Sequence, residues 1–110
     1  MPVPVKQKLR AVSKDLGSQA EVARVLGVSR SRVTRWLQDE QPDDENQRKI
    51  EGLEFVLGRL LRLLGPRSVT KFLIANNPAL HGFRPVDLLA QGRVGDVLQA
   101  IQLVEGQGYA

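Results

Sequence analysis

Residues 18–38 read SQAEVARVLGVSRSRVTRWLQ. The pattern within them, Gln19-Ala20-x-x-Ala23-x-x-x-Gly27-Val28-Ser29-x-x-x-Val33-x-x-Trp36, predicts two short helices meeting at a wide angle across a tight turn. Ser18 and Glu21 have capping-box spacing: the Ser18 hydroxyl can accept from the Glu21 backbone N–H, and the Glu21 carboxylate can reach back to Ser18. Ala20, Ala23 and Leu26 then share one face of the first helix, with Ala23 where the two helices cross. Gly27 takes the turn and Ser29 caps the second helix, which runs to about Gln38. Val28 and Val33 fill the wedge, and Trp36 and Leu37 anchor the second helix to a core.

Reading outward, helical spacing continues in both directions. Val5, Leu9, Val12 and Leu16 recur at steps of four, three and four, the stripe of an amphipathic helix that Gly17 ends. On the other side Gln41-Pro42-Asp43-Asp44-Glu45 is a linker, with Pro42 blocking continuation and the acids suited to the positive end of the next helix. That helix is expected over residues 45–64, with Ile50, Leu53, Leu57, Leu60, Leu61 and Leu64 as a seam. Gly52 and Gly58 would permit close backbone approach, and Gly65-Pro66 ends the run. A short helix over 68–76 turns Val69, Phe72 and Leu73 inward, and Asn77-Pro78 breaks it. Residues 79–84 look irregular. Pro85 suits the first position of a helix reaching Gln91, and a last helix over 93–105 carries Val94, Val97, Leu98, Ile101 and Val104. Residues 106–110 form a loose tail. No strand pattern competes with these, so the expected class is all-α: an N-terminal helix-turn-helix bundle joined to a small C-terminal helical domain. The expected division is residues 1–41, a linker and connecting helix over 42–65, and 66–110.

Charge is unevenly spread. The net +4 of the chain resolves into +6 over residues 1–38, −5 over 39–54 and +3 over 55–110. A basic block at the helix-turn-helix suggests a polyanion partner. The chain has no cysteine, which excludes disulfides and thiolate metal sites. The longest apolar stretch is broken by Arg59 and Arg62, too short for a membrane span, and the first residues lack the apolar core of a signal peptide. A cytoplasmic protein is expected. The one histidine, His81, sits beside a glycine in a turn and has no catalytic or metal-ligating companions. No phosphate-cradling glycine motif follows a strand, and Gly92-x-x-Gly95 reads as a turn between helices. No enzyme activity, cofactor or metal is expected.

The second helix of the motif is the expected reading helix for DNA. With Val33 inward and about 100° per residue, Ser31, Arg35 and Gln38 point outward, and Arg32 and Thr34 flank them. Arg30 lies in the first turn, where recognition helices reach base edges, and an arginine fork can bond both acceptors of guanine. Gln19, at the start of the preceding helix, is placed to touch a phosphate. Lys6, Lys8, Arg10, Lys14 and Arg24 would add sequence-independent affinity.

A second pattern, Asn77-Pro78-Ala79-Leu80-x-Gly82-x-x-Pro85-x-Asp87-Leu88-Leu89-x-x-Gly92-x-x-x-x-Val97-x-x-x-Ile101, packs Leu80, Leu88, Leu89, Val97 and Ile101 together. It resembles the toxin-binding domain of Xre/MbcA/ParS-type antitoxins, and with the helix-turn-helix the resemblance covers nearly the whole chain. Phe72 departs from it, standing where relatives often carry tryptophan. The resemblance implies an antitoxin that binds a cognate RES-domain toxin, of a kind that resembles ADP-ribosyltransferases and consumes or uses NAD, and that represses its own operon by binding operator DNA. It also implies that the C-terminal end, Gln107, Gly108, Tyr109 and Ala110, reaches the toxin's active-site cleft. Arg84, Asp87 and Arg93 are candidates for further toxin contacts, with local pairing of Arg84 and Asp87 as the alternative. The connecting helix can serve either core packing or self-association, and a homodimer is expected, since one helix-turn-helix rarely holds a half-site tightly. A free-standing repressor without a toxin is the alternative function.

Overall fold

The structure is a computed structural model and describes residues 4–106. Seven α-helices and one 3-10 turn make up the fold among the described residues: α1 (Val5–Leu16), α2 (Gln19–Leu26), α3 (Arg30–Gln38), α4 (Asp44–Leu64), α5 (Pro66–Ile74), the 3-10 turn (Pro78–Leu80), α6 (Pro85–Ala90) and α7 (Val94–Gly106). The all-helical expectation is met.

The first three helices start and stop where their sequence signals lie. The Ser18 hydroxyl accepts from Glu21 N at 3.1 Å and the Ser29 hydroxyl from Arg32 N at 3.2 Å, each satisfying an otherwise orphan N–H of a helix first turn. Half of the expected capping box is absent. The Glu21 carboxylate turns forward to pair with Arg24 rather than back to Ser18. Gly27 adopts φ 73°, and a Cβ there would stand 3.3 Å from the Cβ of Ala90. The turn of the helix-turn-helix therefore needs glycine both for its left-handed backbone and for its approach to α6.

The inward face of α2 is Val22, Ala23, Val25 and Leu26; Ala20 is exposed. That corrects the expected Ala20 face. Val22 and Val25 pull the centre of the apolar arc round the helix, leaving Ala20 about 140° away from it at 100° per residue.

The 21-residue α4, about 32 Å long, is the axis on which the other helices pack. Ile50, Leu53, Val56, Leu57 and Leu60 are all buried along it, while Leu61 and Leu64 are only half-buried. One continuous core runs from Leu9 of α1 through Val33 and Trp36 of α3 and the α4 seam to Leu89, Val97 and Ile101. Burying each such aliphatic side chain contributes roughly 1.5–3 kcal/mol. Gly52 serves the close approach expected of it, since a Cβ there would run into Val94 of α7, whereas Gly58 faces open space with only the end of Arg62 nearby.

The α4 run ends at Gly65-Pro66 as expected, but α5 begins two residues earlier than expected. Gly65, at φ 80°, ends α4, and Pro66 becomes the first residue of α5, where its missing N–H costs nothing. Residues 79–84 are not wholly irregular, since the 3-10 turn runs into them. Asn77 Oδ1 accepts from Ala79 N at 2.9 Å and opens the 3-10 turn, and the non-glycine His81 sits left-handed at φ 57°. No helix among the described residues is long and apolar enough to cross a membrane.

Candidate functional site

The geometry of α3 follows from its burial. Val33 and Trp36 are fully packed, which fixes the rotation of the helix and leaves Arg30, Ser31, Arg35 and Gln38 exposed, with Arg32 and Thr34 half-buried beside them. The expected reading face is therefore the solvent face of α3. Its side chains are not equivalent. Among the described residues no carboxylate lies within ion-pair range of Arg30, which sits at the first position of the helix. Arg35 Nε donates to Glu40 Oε2 at 2.8 Å. Arg32 lies over the Trp36 ring, 5.2 Å from its centroid, a cation–π geometry, and 3.7 Å from Asp43.

Gln19 and Thr34 come together across the turn. The Thr34 hydroxyl donates to Gln19 Oε1 at 2.8 Å, and lies 3.1 Å from the Arg30 carbonyl as well. This leaves the Gln19 amide N–H groups directed away from Thr34 and available as donors. The Lys6 ammonium donates to the carbonyl of Gln38, tying α1 to the negative end of α3. Arg24 is held by Glu21. The basic block thus contains both paired and unpaired cations, and Arg30 is the arginine of α3 held by no acid.

The linker acids are the part of this site that sequence reading missed. Glu40 and Asp43 carry the pairs to Arg35 and Arg32, yet both look like ordinary capping and solubility residues in a −5 segment. Asp43 is the N-cap of α4 but makes no side-chain cap hydrogen bond to that helix. Its carboxyl is held below the usual 3.8 by the hydrogen bond from the Asn46 amide, with the nearby Arg32 charge adding to it against the opposing effect of burial. Asn46 is the only buried polar residue among those described.

In the C-terminal unit, Leu80, Leu88, Leu89, Val97 and Ile101 pack together as expected. Arg84 makes a bidentate contact with Asp87, Nε to Oδ2 and Nη2 to Oδ1 both at 2.9 Å. That hydrogen-bonded pairing raises the arginine above its ordinary value and lowers the aspartate. Arg93 Nε donates to Asp96 Oδ2 at 2.7 Å. Local pairing is therefore the arrangement of Arg84 and Asp87 in the isolated chain. Phe83, which the sequence reading passed over, is 54% exposed beside a shallow recess of about 150 Å³ lined by Leu80, His81, Leu88, Arg93 and Asp96. Its only signal was an aromatic residue inside a turn. Gln107, Gly108, Tyr109 and Ala110 lie outside the described residues. No group of His, Asp or Glu that could hold a metal ion occurs among the described residues.

No protein-family model matches the chain. Over 85 residues it is 38% identical to a probable mycobacterial cidal antitoxin of Mycobacterium tuberculosis, an alignment covering 77% of this chain and 73% of that protein. The chain belongs to the mycobacterial cidal antitoxin family. Its fold also matches a chain in the crystal structure of the M. tuberculosis MbcT–MbcA toxin–antitoxin complex, with a TM-score of 0.79 over 99% of this chain and all of that one. At 20% identity that likeness concerns the fold. This cidal antitoxin is thus an antitoxin of a toxin–antitoxin system. The resemblance drawn from Asn77 to Ile101 and the family reached through the 85-residue alignment coincide.

Proposed function

We propose that this antitoxin neutralises a cognate RES-domain toxin through its C-terminal segment and represses its own operon through α3. The observation that carries the toxin half is the likeness to a cidal antitoxin over most of the chain. The solved structure in which one chain shares its fold is that of the MbcT–MbcA toxin–antitoxin complex. Residues 66–110 are the proposed toxin-binding domain, with Arg84, Asp87 and Arg93 as contacts and Gln107, Gly108, Tyr109 and Ala110 as the segment that enters the toxin's NAD cleft. Arg84 and Arg93 would meet the toxin as preformed ion pairs, at little further ordering cost.

The DNA half is supported by the exposed face of α3 and by the free guanidinium of Arg30. Arg30, Ser31, Arg32, Thr34, Arg35 and Gln38 face the major groove in this reading, and Gln19 donates to a phosphate. Residues 1–41 form the DNA-binding unit, with 42–65 as connector. Two copies bind an operator as a homodimer, in the cytoplasm, and the protein's work is binding rather than catalysis.

The test is co-expression with a RES-type toxin, sought first in the neighbouring gene. Intracellular NAD is preserved when the antitoxin is present and lost when it is absent. Persistent NAD loss despite a stable complex would refute inhibition. The DNA half is read separately, by binding to the promoter of its own operon as salt is raised, with affinity expected to fall steeply.

A further inference from the structure

Glu40 lies two residues beyond the end of α3. Its backbone N–H donates to the Arg35 carbonyl at 3.1 Å while its carboxylate accepts from Arg35 Nε at 2.8 Å. The turn that closes the helix thus delivers this carboxylate to the guanidinium. Asp43 approaches Arg32 from the other end of the linker, at 3.7 Å. A free N-cap aspartate would bond the first N–H groups of its own helix. Asp43 accepts instead from Asn46 Nδ2 at 2.5 Å. Asn46 is buried, and among the described residues its Oδ1 has no partner. A half-satisfied buried amide is costly, and the one side-chain hydrogen bond it makes holds Asp43 towards Arg32.

We infer that Glu40 and Asp43 form an intramolecular latch that occupies Arg35 and Arg32 and competes with DNA phosphates for them. The inference rests on the reading of α3 as the DNA-contacting helix. Carboxylate and phosphate engage guanidinium donors in the same way, so Glu40 at Arg35 Nε and Asp43 beside Arg32 Nη2 compete with phosphate for those donors. Both pairs are about half-exposed, and exposed pairs are weak. The latch therefore lowers the availability of these two arginines several-fold without abolishing it. Arg30, outside the latch, remains ready for the first contact. Such a device keeps the free antitoxin from settling on DNA that offers phosphates alone.

The test is binding of a labelled DNA duplex of mixed sequence by the full chain, followed by fluorescence anisotropy from about 50 to 200 mM salt. The E40Q/D43N variant keeps the shapes and, with asparagine an equally good N-cap, the fold. It is expected to bind about three- to tenfold more tightly at low salt, with the advantage shrinking as salt rises. The D39N/D44N variant removes the same charge from neighbouring acids that pair with no arginine among the described residues, and is expected to shift affinity less than about twofold. No tightening in E40Q/D43N, or equal tightening in D39N/D44N, overturns the latch. R32A/R35A separates the two claims. Undiminished binding in that variant removes α3 as the DNA helix and the latch with it. Lost binding in it, with E40Q/D43N no tighter than D39N/D44N, leaves α3 standing and the latch refuted.

Discussion

The Thr34 hydroxyl donates to Gln19 Oε1 at 2.8 Å, linking the first residue of α2 to the middle of α3. The bond braces the two helices and orients the Gln19 amide so that its N–H groups remain free. Thr34→Val keeps the volume and removes the donor. It is expected to cost about 1 kcal/mol of stability, the ordinary worth of such a bond. It should also weaken DNA binding several-fold, equally for the operator and for a scrambled duplex, because a phosphate contact carries no sequence information. Chemical denaturation and binding to both duplexes check this, and a change confined to the operator would mean that Thr34 reads bases.

Arg30 and Arg35 are predicted to behave differently. Among the described residues Arg30 has no acid partner, while Arg35 is tied to Glu40. Arg30→Ala should therefore cost roughly 1–3 kcal/mol of discrimination between operator and altered sites. Arg35→Ala should cost less, since part of the arginine's interaction is already spent on Glu40. The double substitution should remove sequence preference. Competition binding with single-base operator variants measures each loss, and an unchanged preference in the double variant would show that another surface reads the DNA.

Much of this was legible in the chain because local signals agreed with one another. Ser18, Gly27 and Ser29 mark helix ends by chemistry that does not depend on the rest of the fold, and all three act as expected. Pro66 was read only as the end of one helix, although a proline can follow the end of one helix and open the next. Ala20 was misplaced because one methyl group says little about direction, and Val22 and Val25 outweigh it. The ends of the linker illustrate a deeper limit. Arg84 and Asp87 stand three apart on one helical turn, so their pairing could be read from spacing. The contact of Arg32 with Asp43 depends on how Pro42 and the turn after α3 redirect the chain, and no periodicity encodes that.

At Gly52 the backbone of α4 lies against the side chain of Val94 on α7. In an exposed helix Gly→Ala would stabilise by about 1 kcal/mol. Here the new Cβ runs into Val94, and overpacking costs typically 1–3 kcal/mol. Gly52→Ala is thus expected to destabilise overall, and Val94→Ala in the same chain to restore most of the loss. A double-mutant cycle in urea measures the coupling. Additive effects would mean that the two helices do not meet at this point.

Acid should weaken the fold partly through Asp87 and Asp43. Both carboxyls are held below 3.8, Asp87 by its hydrogen bonds from Arg84 and Asp43 by that from Asn46. A depressed carboxyl binds its proton more weakly in the folded state than in the unfolded one. Its stabilising contribution is complete above the ordinary value and disappears as pH falls through the depressed one. Both groups are exposed to solvent screening, so the effect of each is small. Asp87→Asn is expected to be slightly less stable than the parent at neutral pH and to lose less stability on acidification. Denaturation midpoints taken at intervals below about pH 5 test this, and parallel curves for the two proteins would remove the pair from the acid response.

The C-terminal residues offer the cleanest separation of the two proposed activities. Removing 107–110 leaves in place the core of the described residues, which runs to Ile101. Stability and DNA binding should therefore be unchanged. If Gln107, Gly108, Tyr109 and Ala110 enter the toxin's cleft, the shortened antitoxin still forms a complex through the surface around Arg84 and Arg93 but no longer protects cellular NAD. Tyr109 is the one large side chain in this segment, so Tyr109→Ala should reproduce much of that loss, aromatic anchors being the residues that dominate small interfaces. Full protection by the shortened chain would place inhibition on the folded surface instead. Substitution of Arg84 and Arg93 would then be expected to abolish both complex formation and protection.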